Sequence, residues 1–165
     1  MCGFLFATDQ AGPVNKDKCA KLLDAMSWRG PDSSQVVTKM RGKAVLAHCR
    51  LAIMDPSARS DQPMRSRDGR YSIVFNGEVY NHLEIRRRLE LQCITGSDTE
   101  TILEAYAKIG DQAFRLLDGM FALVIFDEIS GDWVAARDAF GIKPLFYSAK
   151  GEQVCIASEA SVVAK

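Results

Sequence analysis

Cys2 becomes the first residue of this chain once the initiator methionine is removed, and a cysteine in that position can act as a nucleophile. Its own α-amine, with a pKa of about 7.7–8.0, would be partly neutral at physiological pH and could accept the thiol proton. Gly3 leaves space beside the sulfur. The other interpretation is a buried cysteine at the start of the apolar strand FLFAT, and Cys2 alone does not choose between them.

A cysteine–histidine pair is the rival arrangement, since His48 and Cys49 are adjacent. Neighbours on a strand point to opposite faces, so we expect Cys49 in the core and His48 to be a hydrogen-bonded polar group. His82 follows Asn81 at a predicted helix start and is expected at the surface. The five cysteines contain no C-x-x-C pair, which argues against a zinc site or disulfide framework and favours reduced thiols in the cytoplasm.

The segment FNGEVYN offers two hydrogen-bond donors at one place. Asn76 carries a side-chain amide, and the backbone N–H of Gly77 can approach a ligand closely. Two such donors form a plausible oxyanion hole for attack on a carboxamide. The preceding YSIVF is predicted to be a strand that ends at the turn dipeptide Asn-Gly, and a plain strand-to-helix turn is the alternative.

Two charged residues suit the ends of an amino acid. Arg50 lies in the apolar strand AVLAHCRLAIM, where an arginine needs an internal ion pair or a ligand carboxylate, and both remain open. Asp98 precedes the helix SDTETILEAYAKIG, where Ser97 or Asp98 can cap and Glu100 stands at capping-box distance from Ser97. An arginine and an aspartate at one pocket would hold a zwitterion by both ends.

The order of elements is strands, then helices, then strands, which favours α+β over an alternating parallel fold. We expect one domain over residues 1–165, with two largely antiparallel sheets and helices outside. With 21 basic and 21 acidic residues the net charge is zero, which argues against a nucleic-acid or anionic-membrane binder. The sequence contains neither a signal-peptide pattern nor a stretch of about 20 apolar residues.

Taken together, the ordered blocks resemble the glutaminase domain of class II glutamine amidotransferases, and in particular the asparagine synthetase branch. The resemblance spans essentially the whole chain. The blocks are MCGFLFA, WRGPD, HCRLAIMD, QPM, FNGEVYN, TGSDTE, LDGMFALVIFDE, ARDAFGIKPLFY and SEA.

The resemblance implies an N-terminal-nucleophile fold, a four-layer αββα sandwich of two mainly antiparallel sheets. It implies hydrolysis of L-glutamine to glutamate and ammonia through a γ-glutamyl thioester, with no metal or cofactor for that step. The implied roles are Cys2 as nucleophile with its amine as base, Asn76 and Gly77 as oxyanion hole, Arg50 for the α-carboxylate, the backbone from Leu51 to Ile53 as pocket lining, and Glu78 and Asp98 for the α-amino end.

The resemblance also implies a partner. Its relatives deliver ammonia to an ATP- and Mg-using synthetase, whose Ser-Gly-Gly-x-Asp-Ser loop does not occur in this sequence, so we expect a synthetase domain or subunit outside residues 1–165. The segment FGIKPLFY is expected to face it, although Phe140, Ile142 and Leu145 could equally be core. Homo-oligomerisation is left open.

Two other functions stay in view. The first is a catalytically silent interaction domain that docks a synthetase, which retention of Met1 would favour. The second is an N-terminal-nucleophile hydrolase for another amide.

Overall fold

The computed structural model describes residues 1–53 and 55–164. Met54, which falls in the predicted strand AVLAHCRLAIM, lies outside them. The strands are β1 (Gly3–Asp9), β2 (Ser33–Lys39), β3 (Ala44–Arg50), β4 (Met64–Arg65), β5 (Tyr71–Val79), β6 (Gly119–Asp127), β7 (Trp133–Arg137), β8 (Phe146–Lys150) and β9 (Gln153–Ala157). The α-helices are α1 (Lys16–Asp24), α2 (His82–Arg88), α3 (Asp98–Ile109) and α4 (Ala160–Val163).

The strands form two antiparallel sheets, which confirms the α+β prediction. The first sheet has the order β2-β3-β1-β9-β8, and the second has the order β4-β5-β6-β7. The two hairpins in the second half of the chain belong to different sheets. The β6–β7 hairpin extends the second sheet, whereas β9 of the β8–β9 hairpin pairs with β1.

Alternation along the strands divides the apolar side chains among three cores. Phe4, Phe6 and Leu46 of the first sheet meet Val74 and Val124 of the second in the space between the sheets. The outer face of the first sheet packs on α1 and α4, and the outer face of the second packs on α2 and α3. The layers therefore run helix, sheet, sheet, helix.

Strand β5 does not end at Asn76-Gly77, so the predicted turn there is wrong. The strand continues to Val79, with Gly77 opposite Phe121 of β6. A Cβ atom on Gly77 would lie 2.7 Å from the Cα of Phe121 and closer still to the carbonyl oxygen of Met120. The glycine is thus explained by close approach of two strands, a common reason for glycine inside a sheet.

The predicted capping box of α3 is also wrong. The Ser97 side chain caps the helix by accepting from the N–H of Thr99 at 3.2 Å. The Glu100 carboxylate instead accepts from the N–H groups of Ile94 and Thr95, at 2.9 and 2.7 Å. It therefore fixes the loop that enters the helix, because those two amides would otherwise lack partners.

Two smaller expectations also fail. Strand β3 ends at Arg50, so Leu51 and Ile53 lie in a loop. His82 is buried, with 8% of its surface exposed, because the start of α2 packs towards α3 near Asp98. No helix within residues 1–53 and 55–164 has the length and apolar character needed to cross a membrane.

Candidate active site

One cavity of about 210 Å³ lies at the end of the space between the two sheets. Its size suits a ligand as small as one amino acid. All eight residues that the sequence singled out line it, although they come from β3, β5, α3 and the loops beside them: Cys2, Arg50, Leu51, Ile53, Asn76, Gly77, Glu78 and Asp98.

Cys2 immediately precedes β1, at the edge of this cavity. Its Sγ accepts a hydrogen bond from the backbone N–H of Leu51 at 3.4 Å. Burial raises the pKa of the thiol, while the Leu51 N–H, the terminal ammonium of Met1 and the Arg50 guanidinium act in the opposite direction. These three groups only partly offset burial, and the Asp98 carboxylate adds to it, so the thiol pKa stays above its ordinary value and a nearby base is needed to form the thiolate.

Arg29 holds the backbone of Cys2, a contact that the sequence analysis did not assign. The Arg29 Nε–H donates to the Cys2 carbonyl oxygen at 3.0 Å, and Nη1 forms an ion pair with Glu159. Arg29 is 5% exposed. The sequence contains a hint of this ion pair, because Arg29 and Glu159 lie in the family-like blocks WRGPD and SEA. A buried arginine needs such a partner.

Asn76 supplies a polar group without a partner. It is 1% exposed, and among the described residues its Nδ2 has no hydrogen-bond acceptor. A buried amide left in this state normally costs free energy. Asn76 is two residues from Val74 on β5, so the two side chains share a face of the strand. The Asn76 side chain therefore points into the space between the sheets, where it lines the cavity. The group is therefore available to a ligand oxygen.

The backbone N–H of Gly77 is directed to the free edge of β5. The Tyr80 N–H points towards β6, where it donates to the Asp118 carbonyl oxygen. The Phe75 N–H points the other way and donates to Gln62 Oε1 at 2.6 Å. The Val79 N–H does the same, to Asp98 Oδ2 at 2.9 Å. Strand amides alternate in direction, so the Gly77 N–H lies on the same edge as those of Phe75 and Val79. That edge meets the cavity, which places two donors, one from Asn76 and one from Gly77, side by side.

Asp98 and Glu78 give the cavity its negative charge. Asp98 is the first residue of α3, and its carboxylate accepts from the N–H groups of Val79 and Thr99, both at 2.9 Å. Burial raises the pKa of Asp98, partly offset by these two hydrogen bonds and by His82. A bound ammonium group would compensate the buried charge.

Arg50 makes an internal ion pair and also lines the cavity. Its Nη1 lies 2.7 Å from Asp61 Oδ1 and donates to the Ser57 carbonyl at 3.0 Å, and its Nη2 donates to the Asp55 carbonyl. These contacts hold the guanidinium in a defined orientation beside the pocket. The sequence had left an ion pair and a ligand site as alternatives, and the ion pair is observed.

The two neighbouring residues His48 and Cys49 do point to opposite sides of β3. Cys49 packs in the outer core, where its thiol contacts the Gly3 and Met26 carbonyls, both at 3.4 Å. His48 faces inwards, and its Nε2 lies 3.0 Å from the Phe75 carbonyl oxygen. The expectation for Cys49 is confirmed, whereas that for His48 is met at Nε2 only, because its buried Nδ1 has no partner among the described residues. The arrangement gives no support to a Cys49–His48 catalytic pair.

Lys143 and Gln62 line the cavity too, and sequence reasoning missed both. Gln62 is 5% exposed and accepts from the Phe75 N–H next to the oxyanion donors. Lys143 is 7% exposed, and its Nζ lies 3.4 Å from Met1 Sδ. Gln62 lies in the segment QPM and Lys143 in FGIKPLFY, but glutamine and lysine are residue types that are usually exposed, so burial was not predicted.

Comparison with known proteins finds similar sequences. The chain is 40% identical over 149 residues to an asparagine synthetase (glutamine-hydrolyzing) of Asparagus officinalis, across 88% of this chain and 25% of that protein. It is 34% identical over 175 residues to a putative asparagine synthetase (glutamine-hydrolyzing) of Methanocaldococcus jannaschii, across 96% of this chain and 34% of that protein. The chain thus spans only about a quarter to a third of these relatives.

The fold is shared with a solved glutamine phosphoribosylpyrophosphate amidotransferase of B. subtilis. The TM-score is 0.82 at 20% identity, over 98% of this chain and 42% of that one. A family model described as a glutamine amidotransferase domain matches residues 1–165. This chain therefore belongs to the glutamine amidotransferase domain family that its sequence resembles.

Proposed function

We propose that residues 1–165 form one glutaminase domain that hydrolyses L-glutamine to glutamate and ammonia, with Cys2 as the nucleophile. The observation that carries the proposal is Asn76 Nδ2, which has no partner in the described part of the chain. It is buried in the same cavity as the Cys2 thiol and lies on the same strand as Gly77. A buried donor beside a thiol suits a reaction in which a carbonyl oxygen becomes negatively charged.

The first half of the reaction forms a thioester. The neutral α-amine of Cys2 takes the thiol proton, and the thiolate attacks the glutamine carboxamide carbon. The resulting oxyanion accepts hydrogen bonds from Asn76 Nδ2 and the Gly77 N–H. The proton then passes from the α-ammonium to the amide nitrogen, the C–N bond breaks and ammonia leaves.

The second half restores the enzyme. The α-amine takes a proton from water, the hydroxide attacks the thioester carbon, and the same two donors hold the second oxyanion. Collapse releases glutamate and the thiolate, which recovers its proton from the amine. The base, the nucleophile and the oxyanion donors are all groups of this chain, so neither half-reaction calls for a metal or cofactor.

The charged residues of the cavity match the two ends of free glutamine. Arg50 binds the α-carboxylate while Asp61 holds the guanidinium in place. Asp98 and Glu78 bind the α-ammonium group, and Leu51 and Ile53 line the pocket. A ligand carrying both charges is favoured over an acylated amide, which lacks one of them.

Removal of Met1 is a requirement of this mechanism. While Met1 is attached, the Cys2 nitrogen belongs to a peptide bond and cannot accept a proton. The Met1 side chain also lines the cavity. Removal supplies the base and clears that part of the pocket in one step.

The ammonia is proposed to reach a synthetase domain or subunit, since the relatives are named glutamine-hydrolyzing asparagine synthetases, and we expect that partner to use ATP and Mg²⁺. Phe140 and Ile142 are 91% and 59% exposed, which favours a docking face over core packing, whereas Leu145 packs between the sheets. We place the protein in the cytoplasm, consistent with its five free thiols.

Glutamate production by the purified protein tests the function. We expect activity with glutamine, a mass that lacks one methionine, and labelling of Cys2 by a thiol-alkylating glutamine analogue. The Cys2→Ala variant should be inactive. Activity that survives this substitution would overturn the mechanism, and a retained Met1 with no turnover would favour the silent interaction domain.

The docking face has its own test. Phe140→Ser should reduce co-purification of an ATP-dependent amide-forming enzyme without changing glutaminase activity, because Phe140 is almost fully exposed. Ile129→Ser is a matched control, since Ile129 is 73% exposed in the β6–β7 connection. Equal capture by both variants would contradict the assignment of this face.

A further inference from the structure

Lys143 is a buried cation in the candidate active site. Its side chain lines the cavity that contains Cys2, and the residue is 7% exposed. The recorded contact of its ammonium group is with Met1 Sδ, at 3.4 Å. Within residues 1–53 and 55–164 no carboxylate forms an ion pair with it. A buried ammonium without a counter-charge is unusual and calls for a physical reason.

The backbone of Lys143 is held by contacts that do not involve Met1. The Lys143 backbone N–H donates to Asp138 Oδ2 at 3.0 Å, and its carbonyl accepts from Arg137 Nε at 2.6 Å. Asp138 Oδ1 also accepts from the Ile142 N–H at 2.8 Å. Although burial acts to raise it, these backbone hydrogen bonds lower the pKa of Asp138, so the loop stays anchored by a charged carboxylate.

Removal of Met1 changes the chemistry around Lys143. The thioether leaves, and the Cys2 nitrogen, to which Met1 was bonded, becomes an amine in the cavity that Lys143 also lines. Two positive charges in one partly buried cavity repel each other, so the Lys143 ammonium disfavours protonation of that amine. A neutral amine is the form that can take the thiol proton.

The other charged groups near Cys2 act in both directions. Glu78 and Asp98 line the cavity and favour a protonated amine. Arg29 and Arg50 are each engaged in an ion pair, with Glu159 and Asp61, which weakens the effect of their charges. Lys143 has no such ion pair among the described residues, so its charge can offset the two carboxylates before substrate binds.

We propose that Lys143 is a positioning residue that keeps the α-amine of Cys2 neutral at physiological pH once Met1 is removed. This inference rests on the proposed glutaminase function. Lys143 forms no bond with the substrate in this scheme, and its charge acts on the protonation of the base.

The pH dependence of kcat/KM tests the proposal, because its acid limb reports the base of the free enzyme. Lys143→Met keeps the side-chain length without the charge, and it should move the limb up by ~1 pH unit. Activity would then fall up to about tenfold at pH 7 and recover near pH 9, whereas Lys143→Arg should keep the wild-type limb. A limb that stays in place in Lys143→Met, or a loss equal at every pH, overturns the proposal.

A second measurement does not depend on turnover. The acylation rate of the terminal amine, followed by mass spectrometry against pH, gives the pKa of that amine in Cys2→Ala and in Cys2→Ala with Lys143→Met. We expect a value below the ordinary range of about 7.7–8.0 in the first protein and a higher value in the second. A first value at or above that range overturns the inference without needing the Lys143 variant to fold.

The amine pKa and the glutaminase assay test the role of Lys143 and the proposed function separately. A low amine pKa in a protein without glutaminase activity supports the role of Lys143 and contradicts the proposed function. Cys2-dependent glutaminase activity with an ordinary amine pKa does the reverse.

Discussion

Arg29 links the backbone of the nucleophile to the last helix of the described chain. Its Nε–H donates to the Cys2 carbonyl oxygen at 3.0 Å, and its Nη1 pairs with Glu159, which precedes α4. Cys2 lies outside β1 and has no strand register of its own. Arg29 therefore fixes the backbone of Cys2, while the Leu51 N–H contacts its thiol.

Arg29→Lys should lower kcat clearly while it changes the free energy of unfolding little. The lysine keeps a positive charge for Glu159 but cannot also supply the guanidinium Nε–H to Cys2. We expect about a tenfold loss of kcat, since misplacement of a reacting group by 1 Å can cost as much or more. Steady-state glutamate assays and urea unfolding measure the two quantities.

Arg29→Ala is the harsher variant and removes the ion pair as well. Since Arg29 is buried while Glu159 is partly exposed, we expect a loss of ~3 kcal/mol in the free energy of unfolding, near the lower limit for a broken buried pair. If Arg29→Lys kept full kcat while Arg29→Ala lost only stability, a purely structural role would be established instead.

Asn76→Ala should separate activity from stability. Its Nδ2 has no acceptor among residues 1–53 and 55–164, so the substitution removes no observed side-chain hydrogen bond from the folded protein. We expect the free energy of unfolding to change by less than ~1 kcal/mol. The loss of one oxyanion donor should lower kcat about 10²–10³-fold. Activity within about threefold of wild type would remove Asn76 from the mechanism.

Gly77→Ala should fail for a steric reason. The new Cβ would lie 2.7 Å from Phe121 Cα, so β5 and β6 must separate where the second oxyanion donor sits. We expect at least ~2 kcal/mol of destabilisation and a large loss of kcat. Gly12→Ala is the control, because a Cβ there meets nothing within 4 Å, and it should stay within about 0.5 kcal/mol of wild type. Equal unfolding curves for the two variants would refute the close-packing explanation.

The sequence predicted most elements because their apolar periodicity is strong. Ile102, Leu103, Tyr106 and Ile109 recur at helical spacing along α3, and they pack on the second sheet. The turn predicted at Asn76-Gly77 is wrong because this dipeptide is common in turns, whereas here the glycine is required by the close approach of β6. Such a long-range steric cause cannot be read from local composition.

Some residues of the candidate site could likewise be predicted from the sequence, and others could not. Cys2, Asn76, Arg50 and Asp98 could be selected because their side-chain types fit a known chemistry. Lys143 could not, because its burial arises from the loop folded around the Asp138 carboxylate. Only the three-dimensional arrangement shows that this cation faces the nucleophile's cavity.

His48 predicts how stability depends on pH. Burial lowers the pKa of His48 from 6.5 to about 4, against the opposing effect of its contact with the Phe75 carbonyl. Between these values the unfolded chain binds a proton at this site and the folded chain does not. The stability that comes from a neutral His48 is therefore complete above pH 6.5 and is lost as pH falls towards about pH 4.

The expected loss across that window is on the order of 3 kcal/mol, or about 1.4 kcal/mol per pH unit, because each unit of pKa shift is worth that amount. Urea unfolding from pH 7 to pH 4 measures it. His48→Gln keeps a donor for Phe75 but cannot ionise, so its unfolding free energy should fall less steeply, while every carboxylate contributes equally to both proteins. Parallel pH dependences for the wild type and His48→Gln would show that protonation of His48 does not destabilise the fold, and hence that the imidazole can be charged where it lies between the two sheets.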